Sequence, residues 1–211
     1  MSEVEYDYDL KSCVHVIEDH DGFRDALIMI LEGAGYDAYG HCDAEAFLNA
    51  SNMPAPHCII SDVVMPGMSG VELQVTLADT VPEIPVILIT AHGNVPKAVQ
   101  ATKAGAFDFI LKPFDNDDLL EIVDAAVEQA MINLSDIEVR QDARGLLNSL
   151  TRRQREIFDL VAVGKTSKII AHELDIALKT VEVHRYTIKQ KLKTGGLENV
   201  IELSRRATPS G

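Results

Sequence analysis

The 211-residue sequence predicts an α/β domain built on a five-stranded, doubly wound parallel sheet, followed by a small all-α domain. Three features lead to this reading. Over the first 130 residues, short β-rich apolar runs alternate with longer stretches whose apolar residues recur every three or four positions, as βαβ crossovers require. Beyond residue 146 the spacing is helical throughout. The charge also changes sign along the chain. Residues 1–145 carry 7 Lys and Arg against 26 Asp and Glu, a net of −19, whereas residues 146–211 carry 12 against 7, a net of +5. A nucleic acid is repelled by the first part and attracted by the second, which suggests a regulated nucleic-acid binder.

Taken in order, the strands are expected at residues 13–17, 36–39, 58–60, 86–89 and 107–111. Helical spacing runs through Phe23, Leu27, Ile30 and Leu31, then Val71, Leu73, Val75 and Leu77, then Leu119, Leu120, Val123 and Val127. Gly35, Gly93 and Gly105 mark joints, and Pro82, Pro85, Pro96 and Pro113 break or start helices. Residues 131–148 are polar, free of proline and helix-compatible, which predicts a semi-rigid helical linker. Thr151-Arg152-Arg153-Gln154 reads as a capping box opening a helix to about residue 163, stopped by Gly164. Ser167 is expected to cap a second helix to about Leu174. After a turn at 175–178, a third helix runs to about residue 193, and a fourth covers 197–207. A short helix, a tight turn and a longer basic helix make the helix-turn-helix pattern. The expected divisions are 12–130, a linker at 131–145, and 146–211.

Composition narrows the class. Apolar residues make up 46% and charged residues 25%, ordinary for a soluble core, and no apolar stretch approaches a membrane span. The opening Met1-Ser2-Glu3-Val4-Glu5 lacks the basic, apolar start of a signal peptide, so a cytoplasmic protein without membrane partners is expected. Cys13, Cys42 and Cys58 show no CxxC spacing, and Cys13 and Cys58 sit in strand-like runs where cysteine packs as a small hydrophobe.

Ligands of doubly wound sheets bind at the carboxyl ends of the strands. There the sequence gathers Glu18 and Asp19 after the first strand, Asp62 after the third, Thr90 at the end of the fourth and Lys112 at the end of the fifth. Singly, such charges are often just solvated strand ends. Together they form a chemistry. Three carboxylates at one edge repel each other unless a cation sits among them, and hard oxygen donors suit Mg²⁺. A carboxylate beside that cation can attack phosphorus and form an aspartyl phosphate, with Thr90 and Lys112 sharing the charge on the phosphoryl oxygens.

The segments Val16-Ile17-Glu18-Asp19, Asp62-Val63-Val64-Met65-Pro66-Gly67-Met68-Ser69-Gly70, Ile89-Thr90-Ala91-His92-Gly93 and Lys103 through Phe114 resemble the receiver domain of two-component response regulators, a flavodoxin-like fold. The resemblance spans about residues 12–130. It implies phosphorylation of Asp62 by a sensor histidine kinase, Mg²⁺ held by Glu18, Asp19, Asp62 and the Val64 carbonyl, and phosphoryl contacts from Thr90 and Lys112. Phe109 matches the aromatic that moves inward with the threonine on activation. Many receivers carry two aspartates where this chain has Glu18-Asp19, and glutamate reaches one methylene further.

The basic segment resembles the helix-turn-helix of the LuxR/FixJ (NarL-type) family, through Leu150 to Ile157, Lys168-Ile169-Ile170-Ala171, Leu174-Asp175-Ile176, Thr180 to Arg185 and Lys191-Leu192. The whole chain then looks like a phosphorylation-switched transcription factor, not an enzyme. It is expected to bind double-stranded promoter DNA, to engage RNA polymerase, and to dimerise through a receiver face at 95–105 and 115–128. Along the third helix Val181, Ile188 and Leu192 should face the core. Lys168, Lys179, Thr180, Val183, Arg185, Tyr186 and Lys189 are the expected DNA contacts, with Lys168, Lys189 and Lys191 suited to phosphates. His184 and Glu182 read as scaffold. Two residues depart from the family pattern. Ala177 stands where a serine usually caps the recognition helix, and Gln154 replaces a glutamate that could make an ion pair.

Two other readings compete. An aspartate-nucleophile phosphatase or phosphotransferase would place a second acid two residues after Asp62, but Val64 stands there and cannot transfer a proton. A regulatory protein whose tail binds protein rather than DNA does not account for the basic helix.

Overall fold

The computed structural model describes residues 11–91 and 105–192. Strands β1 (Cys13–Ile17), β2 (Asp37–His41), β3 (Cys58–Asp62), β4 (Val86–Thr90) and β5 (Asp108–Leu111) form one parallel sheet in the order β2-β1-β3-β4-β5. The central strands β1, β3 and β4 are buried along their whole length, while the edge strands β2 and β5 are only partly covered. This is why the central runs are mostly apolar. A strand covered on both faces needs apolar residues at both parities.

The period of two splits those runs between two cores. Val14, Val16, Cys58, Ile60, Ile87 and Ile89 pack with Leu27 and Leu31 of α1 (Asp21–Gly33), and with Leu119, Val123, Ala126 and Val127 of α4 (Asn116–Asn148). On the other face, Ile17, Ile59, Val86 and Leu88 pack with Leu73 and Leu77 of α3 (Gly70–Thr80) and with Ala44 of α2 (Ala44–Leu48). Each such fully buried aliphatic side chain contributes roughly 1.5–3 kcal/mol.

Short polar residues start these helices by accepting a hydrogen bond from a first-turn N–H. His20 does so for α1, Asp43 for α2, and Ser69 with Glu72 closes a full capping box on α3. The five-residue α2 carries too little periodicity to be read from sequence. Strand ends also differ from expectation: β2 lies at 37–41 rather than 36–39, and β3 and β4 extend to include Asp62 and Thr90.

The chain divides into two compact units, 1–134 and 135–211. Helix α4 runs unbroken from Asn116 to Asn148, so the segment expected as a linker is helical. Its last turns belong to the second unit, where Leu147 packs with Leu150, Ile157, Phe158, Val161, Ile170, Val181, Ile188 and Leu192. That core joins α5 (Arg152–Ala162), α6 (Ser167–Glu173) and α7 (Leu178–Leu192). The capping box is present: Thr151 accepts from Gln154 N–H, and the Gln154 side chain accepts from Thr151 N–H at 3.0 Å. Gly164, at φ +82°, ends α5 in a left-handed turn, with Gly164 N–H donating to Val161 O at 2.9 Å and Lys165 N–H to Leu160 O at 3.1 Å.

Thr166, not Ser167, caps α6: Thr166 has extended dihedrals and accepts from Ile169 N–H, while Ser167 is already helical. Asp175, at φ 51°, makes the tight turn before α7. Helix α7 starts without a side-chain cap, Ala177 O accepting from Thr180 N–H at 2.9 Å and Val181 N–H at 3.2 Å. The fourth helix expected at 197–207 lies outside the described residues.

Candidate functional site

Because β3 lies between β1 and β4, residues that follow these strands meet at one edge. Glu18 leaves β1 with its N–H on His41 O at 3.1 Å, and it is buried. Its Oε1 accepts from His20 N–H at 3.2 Å and its Oε2 from Lys112 Nζ at 2.8 Å. Asp62 ends β3. Its Oδ1 accepts from Val64 N–H at 2.9 Å and its Oδ2 from Lys112 Nζ at 2.6 Å. Thr90 ends β4, fully buried, and its carbonyl accepts from Lys112 N–H at 2.8 Å. Lys112 follows β5, just before a cis peptide bond to Pro113. The Glu18, Asp62 and Lys112 side chains therefore converge, the ammonium bridging the two carboxylates, and Thr90 joins Lys112 through the backbone.

The charges are strongly coupled. Burial alone would lower the Lys112 ammonium, but hydrogen bonds and charge from Asp62 and Glu18 outweigh it and hold the group above its ordinary value. Burial raises the Glu18 carboxyl, and Lys112 and His20 N–H offset this only in part. The Glu18 carboxylate is thus a group kept out of water that needs a cation beside it.

Asp19 is exposed, and among the described residues no three His, Cys, Asp or Glu side chains stand as a ready metal cage. Lys112 lies between Glu18 and Asp62. The donor chemistry nonetheless fits Mg²⁺: Glu18 and Asp62 are hard oxygen donors within reach of one ammonium, and the next residue after Glu18 is the exposed Asp19. Val64, two residues on, is half-exposed, while Asp62 itself is largely buried. Phe109 is half-buried on β5 and packs against the core around Leu88, on the α3 side of the sheet.

Several supporting residues carried no signal at the level of pattern. Arg24 Nη1 donates to Glu18 O at 2.8 Å. Glu45 of α2 accepts from Met68 N–H at 3.2 Å and so holds the loop after Asp62. Gly70 approaches the Asp62 carbonyl so closely that a Cβ would overlap it, with Ser61 Oγ only 2.9 Å away. The Phe23 ring, which the sequence shows only as part of a helical apolar spacing, lies under the Lys112 ammonium at 4.0 Å from the ring centroid.

A second site is the outer face of α7. Val181, Ile188 and Leu192 are buried, as their spacing predicts, and this turns the opposite face outward. Lys179, Thr180, Val183, Tyr186 and Lys189 are exposed there, Arg185 is half-buried, and Lys168 is exposed on α6. Two further residues have partners. Lys191 is exposed and donates to Ser149 O at 2.8 Å and to Gln154 Oε1 at 3.0 Å, at the start of α5. Glu182, read as scaffold, is exposed and lies 3.9 Å from the Lys179 ammonium.

None of the described cysteines is paired: Cys13 and Cys58 are buried and Cys42 is exposed. No described helix is long and apolar enough to cross a membrane.

Comparison with known proteins identifies both domains. Residues 14–124 match the response regulator receiver domain, and residues 148–204 match the bacterial regulatory proteins of the luxR family. The transcriptional regulatory protein FixJ of Bradyrhizobium diazoefficiens is 36% identical over 197 residues, covering 93% of this chain and 96% of that one. The transcriptional regulatory protein TdiR of Thauera aromatica is 37% identical over 193 residues, covering 90% and 85%. Among solved structures, the response regulator StyR superposes with a TM-score of 0.81 at 37% identity, over 93% of this chain and 100% of that one. Full-length FixJ from B. japonicum gives 0.57 at 36% identity, over 93% and 97%. These relatives are transcriptional regulators and response regulators, not enzymes. A receiver domain followed by a LuxR-family domain together span most of the sequence, and this chain belongs to the two-component response regulators with a LuxR-family DNA-binding domain.

Proposed function

We propose that Asp62 accepts a phosphoryl group from a sensor histidine kinase and that this switches a dimeric, DNA-binding transcriptional regulator. The observation that carries the reading is the Lys112 ammonium held between Glu18 and Asp62 at 2.8 and 2.6 Å. In the transfer, an Asp62 carboxylate oxygen bonds to phosphorus, the phosphorus–nitrogen bond to the kinase histidine breaks, and that imidazole keeps the electron pair and takes a proton. Lys112 then passes a hydrogen bond from the carboxylate to a phosphoryl oxygen, and the Thr90 hydroxyl turns toward another. Phe109, packed beside Leu88 on the same face, relays the threonine movement to the sheet edge. Glu18, Asp19, Asp62 and the Val64 carbonyl would hold Mg²⁺, which when bound neutralises charge on the phosphoryl oxygens.

The units act in series: 12–130 as phosphoacceptor, 131–145 as a helical connection, 146–211 as the DNA-binding unit. Dimerisation through the receiver is expected to place two recognition helices on paired half-sites of promoter DNA, where RNA polymerase is engaged. Of the proposed dimer face, 115–128 is described and 95–104 lies outside the described residues. Lys168, Lys179, Arg185 and Lys189 supply phosphate or guanine contacts, Thr180 a hydrogen bond, and Val183 and Tyr186 apolar contact with base edges.

The test is covalent labelling. With Mg²⁺ and acetyl phosphate, the full chain should gain one phosphoryl group that hydroxylamine removes, and Asp62→Asn should gain none. Equal labelling of the variant would move the site elsewhere.

A further inference from the structure

The aromatic at position 23 has a use that core packing does not explain. Phe23 lies in the first turn of α1, where its N–H donates to His20 Nδ1 at 3.1 Å, so the start of the helix sets the ring's place. The ring is half-buried and meets Phe114 edge-on, with centroids 6.1 Å apart and planes at 74°. Its face receives the Lys112 ammonium, 4.0 Å from the centroid. That ammonium is only 19% exposed and already donates to Glu18 and Asp62. It therefore has carboxylates on one side and an aromatic face on another. A leucine would fill much the same volume, but it lacks the negative ring face that attracts a cation.

We infer that Phe23 is a positioning residue for phosphotransfer, holding the Lys112 ammonium beside Asp62 through its ring face. The inference rests on the reading of Asp62 as phosphoacceptor. The physical reason is the exchange that transfer demands of Lys112. The ammonium must release the Asp62 carboxylate and take a phosphoryl oxygen. A partner that is neither carboxylate nor phosphoryl, and that keeps its contact throughout, stops the side chain from swinging toward solvent at that moment. Phe114, braced against the ring, keeps the face in place. Phe23 touches neither the phosphorus nor the attacking oxygen, so its effect passes through Lys112.

The test weakens the ring face while keeping the ring. Phe23 is replaced in the full chain by phenylalanines carrying one, two and three fluorines, which withdraw charge from the face at nearly constant shape. Two quantities are followed. The first is the Lys112 ammonium by nitrogen NMR, which needs no phosphorylation. At constant pH its nitrogen and proton shifts should move stepwise toward those of Phe23→Leu as fluorines are added, because a weaker ring face holds the cation less. The second is the initial rate of labelling by acetyl phosphate with Mg²⁺. It should fall in the same order, reaching roughly 3- to 10-fold at three fluorines, the span expected of a partly desolvated cation–π contact. Phe23→Leu should match the trifluoro variant, and Phe23→Tyr should restore both quantities.

Ammonium shifts that stay constant across the fluorine series would overturn the contact, whatever the labelling shows. Stepwise shifts with an unchanged labelling rate would overturn its part in transfer. Should wild type fail to label while the ammonium still responds to fluorine, the phosphoacceptor reading falls and the positioning role in transfer falls with it, while the ring–ammonium contact stands.

Discussion

Acid should destabilise this protein through a buried histidine pair in the first unit. His15 on β1 faces α2, and its Nδ1 lies 2.9 Å from His41 Nε2 at the end of β2. The Nε2 of His15 lies 3.0 Å from Pro54 O, which can only accept, so His15 carries its proton there and His41 Nε2–H donates to His15 Nδ1. The pair is thus satisfied when both rings are neutral. Its surroundings are the Tyr39 and Phe47 rings, with Arg24 opposing and Asp43 favouring a positive charge on His41. Burial is the larger cause, followed by the charge of His15 and Arg24, and together they push His41 from 6.5 down to about 4. His15 moves the same way through burial. A histidine with a lowered folded value is neutral in the native state, whereas the unfolded state takes up a proton below about pH 6.5. The contribution is therefore fully present above that pH and is lost as pH falls toward 4. At about 1.4 kcal/mol per pH unit of difference, His41 alone removes about 2 kcal/mol between pH 7 and 5. The variant His41→Gln keeps a donor for His15 but cannot ionise. Urea unfolding of the full chain, followed by NMR signals of Tyr36 and Tyr39 in the first unit, should show wild type losing about 2 kcal/mol more than the variant over that range. Equal pH dependence of the two proteins, or a His41 imidazole that titrates near 6.5 by NMR, would refute the reasoning.

Other consequences are more local. Gly70→Ala places a methyl group against the Asp62 carbonyl. Backbone must shift to admit it, so thermal melting should show a loss of about 1–3 kcal/mol, and acetyl phosphate labelling should slow. Gln154→Glu turns the Lys191 hydrogen bond into a half-buried ion pair while keeping the capping box, and should raise the stability of the second unit by about 0.5–1 kcal/mol in thermal denaturation. DNA affinity measured against salt should have a steep slope, and Arg185→Ala should reduce it by about one unit if Arg185 contacts phosphate. A loss confined to particular operator positions would instead make Arg185 a base reader. With its net of +5, the segment 146–211 alone should bind operator DNA more tightly than the unphosphorylated full chain, whose first 145 residues carry −19. Equal binding would exclude inhibition by the receiver.

Much of this could be read from residue order because each strand-end residue follows an apolar run. Glu18, Asp62, Thr90 and Lys112 needed only the parallel sheet to bring them together. The rest depended on geometry that periodicity does not encode. Phe23 fits a helical apolar stripe whether its ring meets leucines or an ammonium. His15 sits inside the apolar run of β1, and its partner His41 lies 26 residues away, so no local pattern pairs them. Thr166 and Ser167 are adjacent hydroxyl residues, and only backbone dihedrals decide which one caps α6. Lys191 reads as another surface cation until the fold brings the start of α5 beneath it, 37 residues away in sequence. Leu147, placed by its position in the second domain, packs into that domain's core.

The most direct test measures DNA binding and phosphorylation in one experiment. Promoter DNA selected by the full-length protein from a random pool is titrated with wild type and with Asp62→Asn, each before and after treatment with acetyl phosphate and Mg²⁺. Wild type should bind more tightly after treatment, in step with the phosphoryl group gained per chain, and Asp62→Asn should bind identically in both conditions. A wild type whose affinity is indifferent to a phosphorylated Asp62, or an Asp62→Asn that gains affinity on treatment, would contradict the switch.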